Sequence, residues 1–267
     1  LFPPMMFENL YGAKPGTAFN PGLTIFAIVF LFAFIAASVP IVHRIEKRPE
    51  TRGAMIQAMY RSNFVLMGLP IALNICGRGN VSTTAVLVAV IVPIYNIIAV
   101  IILEYYRGGH ADISKMFSKI IMNPIILGAL AAAVAIVLDI RVPKSVDNVI
   151  YTMSECTTPM AMIMLGASFN IKSINTDRRN LSIVTITKLL IQPAIGLSLA
   201  VLFGFRGVEF VSLIVMMSAP CAVSSFTMAK SMGSDGDLAG SAVIFTTGFS
   251  ILTIFGWLFL FKNIGIF

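Results

Sequence analysis

Two prolines interrupt apolar stretches in settings of small and polar residues. One closes Asn63-Phe64-Val65-Leu66-Met67-Gly68-Leu69-Pro70, and the other lies within Met217-Ser218-Ala219-Pro220-Cys221-Ala222-Val223-Ser224-Ser225. A proline inside a helix removes one N–H donor and clashes with the carbonyl one turn back. The freed backbone groups need partners from water or protein. Where two such helices cross, half-helix amino ends offer N–H groups and partial positive charge, and opposing carboxyl ends offer carbonyls. That arrangement suits a carboxylate or similar anion. Packing alone is the plainer use of a kink. The matched pair, with Asn63, Gly68, Ser218, Ser224 and Ser225 beside it, favours a site.

Asn63 lies seven residues, about two helical turns, before Pro70 and is expected on the face of the kink. Its amide can donate and accept, which suits a polar substrate edge or an interhelical hydrogen bond. Pro93 and Asn96, in Pro93-Ile94-Tyr95-Asn96, are expected to turn a polar face toward the crossover, with packing an equal explanation. Lys188, with Gln192 one turn deeper, reads either as a counter-charge for an anionic solute or as a side chain snorkelling to the cytoplasmic end. Arg61 is expected to anchor or snorkel. Glu104, Asp139, Glu155 and Glu209 are expected near span ends, leaving no carboxylate pair at mid-membrane.

The elements that must position these residues follow from composition. Of 267 residues 57% are hydrophobic and 12% charged. Soluble domains carry about 25% charged residues, so this chain could not cover its surface with polar groups in water. Eight apolar segments are expected to span a bilayer as helices: A (Leu23–Val42), B (Ala54–Cys76), C (Val81–Tyr105), D (Phe117–Leu138), E (Val149–Phe169), F (Leu181–Phe203), G (Val208–Ala229) and H (Leu238–Phe261). B and E are less uniformly apolar and are expected inside the bundle.

The net charge of +7 reflects basic loops and not a nucleic-acid surface. Arg44, Lys47, Arg48, Arg52, Arg107, Lys115, Lys119, Lys172, Arg178, Arg179 and Lys230 fall on one side. Lys14, Arg78, Arg141, Lys144, Arg206 and Lys262 fall on the other. The richer side is expected to be cytoplasmic, with both ends of the chain outside the cell membrane.

Pro70 and Pro220 are 150 positions apart, and A pairs with F and C with H at a similar offset. D and E then lack partners within the chain. The expectation is a ten-span protein of two inverted five-helix repeats, missing its first span and most of its second. Residues 1–22 would end the second span and form an outside loop. Residues 23–105 would complete the first repeat, 106–116 would be a cytoplasmic linker, and 117–267 the second repeat.

Arg61-Ser62-Asn63-Phe64 through Gly68-Leu69-Pro70, Pro93-Ile94-Tyr95-Asn96, Asn123-Pro124-Ile125-Ile126, Leu165-Gly166-Ala167-Ser168 and Ser218-Ala219-Pro220 resemble the auxin efflux carrier family along essentially the whole chain. The resemblance implies an all-α membrane fold with eight of ten inverted-repeat helices present and two crossed, proline-broken helices. It implies a small organic anion as substrate at their crossing, and it leaves a homodimer open. It matches Asn63 to the pocket asparagine and Pro70 and Pro220 to the crossover prolines. The short C–D connection resembles microbial permeases for malate and other organic acids.

The expected substrate-binding set is Asn63, Gly68, Pro70, Asn96, Lys188, Pro220, Cys221, Ser224 and Ser225. Cys76, Cys156 and Cys221 have no metal-ligand spacing, and His43 and His110 fall in cytoplasmic loops. No nucleophile–base or phosphate-cradling constellation is visible, so neither an enzyme nor a cofactor or metal is expected. A bile-acid-type sodium symporter and a non-transporting membrane sensor are the alternative functions.

Overall fold

The computed structural model describes residues 2–11, 20–77, 82–107, 122, 124–138, 140–168 and 177–267. The linker from residue 108 on, the start of segment D and the end of E lie outside the described residues. So do Lys14, Arg78, His110, Lys115, Lys119, Asn123, Asp139 and Lys172. The described chain is helical: α1 (Phe2–Tyr11), α2 (Pro21–Ile45), α3 (Pro49–Tyr60), α4 (Phe64–Cys76), α5 (Ser82–Arg107), α6 (Pro124–Val137), α7 (Lys144–Ser168), α8 (Arg178–Leu202), α9 (Gly207–Ser218), α10 (Val223–Ser231) and α11 (Gly236–Asn263). Among the described residues there is no strand, only an isolated antiparallel bridge between Ser62 and Cys221.

Among the described residues four helices, α2, α5, α8 and α11, are long and apolar enough to cross a membrane, where eight spans were expected of the whole chain. Segments B and G are each split into two shorter helices, α3/α4 and α9/α10, and α6 is short within the described residues. α7 is long, but Lys144, Asp147 and Glu155 lower its apolar character. At the amino end, α1 continues as helix through Phe7–Tyr11, where a loop was expected.

The outward faces are apolar. Ile25, Val29 and Phe32 on α2 and Ile251, Leu252, Phe255 and Phe259 on α11 are exposed, as faces solvated by lipid should be. The inward stripe of α2, Leu23, Ala27, Phe30, Leu31 and Phe34, recurs at helical spacing. α9 is buried continuously from Phe210 to Ser218, and α3 from Gly53 to Tyr60, so these two form the centre of the bundle. That meets the expectation for segment B. Segment E departs from it: most of α7 is exposed, and its buried edge is Thr157, Ala161 and Leu165. α1 packs on α6 and α7, where Gly128 lets the Pro3 backbone approach so closely that a Cβ would meet Pro3 O at 2.4 Å.

One end of the bundle gathers basic loops. Arg48 Nη2 lies 2.6 Å from Asp177 Oδ1 and 3.2 Å from Glu46 Oε2, joining the α2–α3 corner to the start of α8. Ser234 and Asp235 donate to the Glu50 carbonyl from the α10–α11 turn. Burial pushes the Glu46 carboxyl up. Hydrogen bonds from Arg48, Asn180 and the Lys47 backbone outweigh it and hold the group at about 2.

Candidate functional site

The two broken helices meet at their breaks. The second break is the simpler to explain. Ala219 precedes Pro220, and a residue before proline is driven out of the helical region. Ala219 is accordingly extended (φ −61°, ψ 145°), and α9 stops at Ser218. Ala222 is extended too, and α10 restarts at Val223.

The first break falls at Arg61-Ser62-Asn63, not at Pro70 as the sequence suggested. Arg61 is extended (φ −79°, ψ 121°). Ser and Asn compete for backbone hydrogen bonds and favour helix ends over helix interiors. Across the gap, Asn63 N donates to Pro220 O at 2.7 Å, and Ser62 pairs with Cys221. Each break therefore supplies backbone partners to the other. Pro70 follows a π-helical turn, Phe64–Gly68, whose wider coil accommodates the proline ring.

A cavity of about 570 Å³ opens beside the crossing. Arg61, Ser62, Asn63, Tyr95, Asn96 and Ser224 give it polar groups, and Met5 of α1 together with Ser154, Glu155 and Thr157 of α7 also lines it. Arg61 is only 2% exposed, which overturns its expected place as an anchor at the membrane end. Its guanidinium donates to Asn96 Oδ1, to Ser224 Oγ at 2.8 Å and to Met228 Sδ at 2.9 Å. All three are neutral, and no salt bridge reaches Arg61 among the described residues. Glu155 lies midway along α7 rather than near a span end, and it faces the cavity.

Lys188 lies on the other side of the crossing. It sits in a second π turn, Thr187–Ile191, which precedes Pro193. Pro193 cannot donate to Leu189 O, and Trp257 Nε1 does so instead at 3.0 Å. Lys188 is 0% exposed and does not snorkel. Its Nζ donates to Ser62 Oγ at 2.5 Å, Gln192 Oε1 at 2.7 Å and Met217 O at 3.3 Å.

The sequence-derived residues therefore divide by place. Asn63, Asn96 and Ser224 line the cavity. Pro220 and Cys221 build the second break, and the Cys221 N–H donates to Thr246 Oγ1 at 3.0 Å. Ser225 is buried behind it, and its carbonyl accepts from Gln57 Nε2. Gly68 packs α4 on α9, where a Cβ would sit 3.3 Å from Val215 O. Pro70 lies on an exposed face of α4, outside the cavity. Arg61, Tyr95 and Glu155 were missed as cavity residues. The position of Arg61 two residues before Asn63 was the available signal. No metal-holding group of three or more His, Cys, Asp or Glu occurs among the described residues.

Apolar helices packed around two mutually paired helix breaks, with a polar cavity beside them, define a polytopic membrane transport protein. The sequence matches the family described as Membrane transport protein over residues 1–258, and the chain belongs to that family, as the auxin efflux carrier resemblance implied. It is similar to an uncharacterized transporter of Methanocaldococcus jannaschii, 25% identical over 241 residues, which cover 86% of this chain and 76% of that protein. An uncharacterized transporter of Methanothermobacter thermautotrophicus is 26% identical over 105 residues, 39% of this chain and 35% of that protein. A Rhizobium meliloti protein whose name proposes it as a malonate transporter is 20% identical over 146 residues, 54% of this chain and 46% of that protein.

Proposed function

We propose that the protein is a secondary carrier for a small organic anion, a mono- or dicarboxylate, working by alternating access around the helix crossing. The observation that carries this reading is Arg61, buried at the cavity wall among neutral partners. Arginine keeps its proton in proteins. A buried cation without a counter-charge carries a desolvation penalty of several kcal/mol, and an anion entering the cavity offsets it. Asn63, Asn96 and Ser224 supply neutral hydrogen-bonding groups around the same volume. The malonate named for the Rhizobium relative belongs to this chemical class.

The alternation of continuous α2, broken α3/α4 and continuous α5 with continuous α8, broken α9/α10 and continuous α11 supports a pair of inverted repeats. The basic loops gathered at one end support that end as cytoplasmic, in a cell-membrane protein with both chain ends outside. Purified protein in liposomes should take up labelled malonate or a monocarboxylate saturably, and Arg61→Gln should reduce that uptake by about a hundredfold. Wild-type uptake rates in Arg61→Gln would remove the guanidinium from the site.

A further inference from the structure

We propose that the Lys188 ammonium is the fixed cation of the crossing and takes the place of a dissociable co-ion. A lysine ammonium is a compact charge with three donors. Here each donor has an oxygen from a different part of the junction. Ser62 Oγ belongs to the first break, Met217 O to the carboxyl end of α9 just before the second, and Gln192 Oε1 to α8 itself. Carbonyls at a helix carboxyl end carry partial negative charge, so Met217 O is a good acceptor for a cation. Three neutral oxygens around one point are acceptors of the kind a monovalent cation also uses. Here that point is filled by a covalently tethered charge.

Two further facts give this arrangement its consequence. Lys188 is fully buried and absent from the cavity wall, so a solute bound at Arg61 does not displace it. The same junction already holds the Arg61 guanidinium, whose fixed positive charge repels an alkali ion in a low-dielectric setting, and Lys188 Nζ occupies the space between the three oxygens. An alkali ion is therefore excluded from the crossing, and the two breaks stay joined without one. Transport should proceed equally in sodium, potassium or choline media. The inference builds on the transport reading, but its first readout does not need flux.

Lys188→Ala removes the Cγ–Nζ fragment, which is n-propylammonium. Purified Lys188→Ala protein should melt below wild type. Millimolar n-propylammonium chloride should raise its melting midpoint saturably, while tetramethylammonium chloride, which brings no N–H donor and is too bulky for the gap, should not. Wild type should respond to neither. A Lys188→Ala protein indifferent to propylammonium, or stabilised equally by tetramethylammonium, overturns the proposal. Should Lys188→Ala fail to fold, Lys188→Met keeps the apolar stem and drops only the charge. Its flux should fall to that of empty liposomes, and wild-type flux would overturn the proposal. Sodium-dependent uptake by wild type would do the same. Absence of wild-type uptake of every anion tried counts against the transport reading alone, and the melting experiment still decides the role of Lys188.

Discussion

Arg61 and Glu155 bring opposite charges to the lining of one cavity, and they differ in burial. The guanidinium is sequestered among neutral acceptors, while the carboxylate is exposed. On the proposed reading a carboxylate bound at Arg61 is accepted, and a second negative charge in the same cavity meets Glu155. Discrimination built by repulsion is as effective as discrimination built by attraction. Glu155→Gln should therefore improve competition by dicarboxylates relative to monocarboxylates of equal length. Inhibition constants for malonate and propionate against labelled uptake would measure this. Unchanged ratios would place Glu155 outside the reach of the substrate.

Among the elements, α1 and α6 approach through a glycine. A Cβ on Gly128 would meet the Pro3 backbone, with O at 2.4 Å and Cα at 2.9 Å. Backbone cannot rotate away as a side-chain tip can, so one helix must move. Small residues at close helix contacts are the usual way membrane helices pack. Gly128→Ala should destabilise the protein by about 1–3 kcal/mol, as overpacking generally does, and lower its melting midpoint. The paired breaks can be tested as elements too. Residues opposed in an antiparallel bridge have Cα atoms about 4.5–5.5 Å apart, within the range a disulfide spans. Ser62→Cys should crosslink to Cys221 under mild oxidant once Cys76 and Cys156 are replaced by serine. A mass measurement showing only free thiols would contradict the bridge.

Over the whole molecule, the basic end is tied together by Glu46, Arg48, Asp177 and Asn180, which link corners far apart in sequence. Glu46 titrates at about 2 in the folded protein against an ordinary value of 4.5. A lowered folded value means that this contribution to stability is complete above the unfolded value and fades as pH falls from about 4.5 toward 2. Melting midpoints of wild type should fall across that window. Glu46→Gln should flatten that part of the curve while lowering stability at neutral pH.

The membrane fold was legible because lipid-facing helices must be apolar along their length, and α2, α5, α8 and α11 follow segments A, C, F and H closely. The break at Pro220 was legible because proline dictates the backbone before it. The other break was not. Arg61-Ser62-Asn63 contains no proline, and it opens because Pro220 and Cys221 supply partners from 150 or more residues away. The same holds for the two cations. Sequence placed Arg61 and Lys188 near the ends of spans, read Arg61 as an anchor or snorkelling side chain, and left Lys188 open between snorkelling and a counter-charge. A π turn and the crossing itself turned them inward, toward acceptors that exist only once the two halves meet. Covalent constraint and average polarity are properties of the chain, and they fixed which helices form and where one of them stops. Which polar groups face one another is a property of the packed halves, and it decided that Arg61 is buried on one side of the crossing and Lys188 on the other.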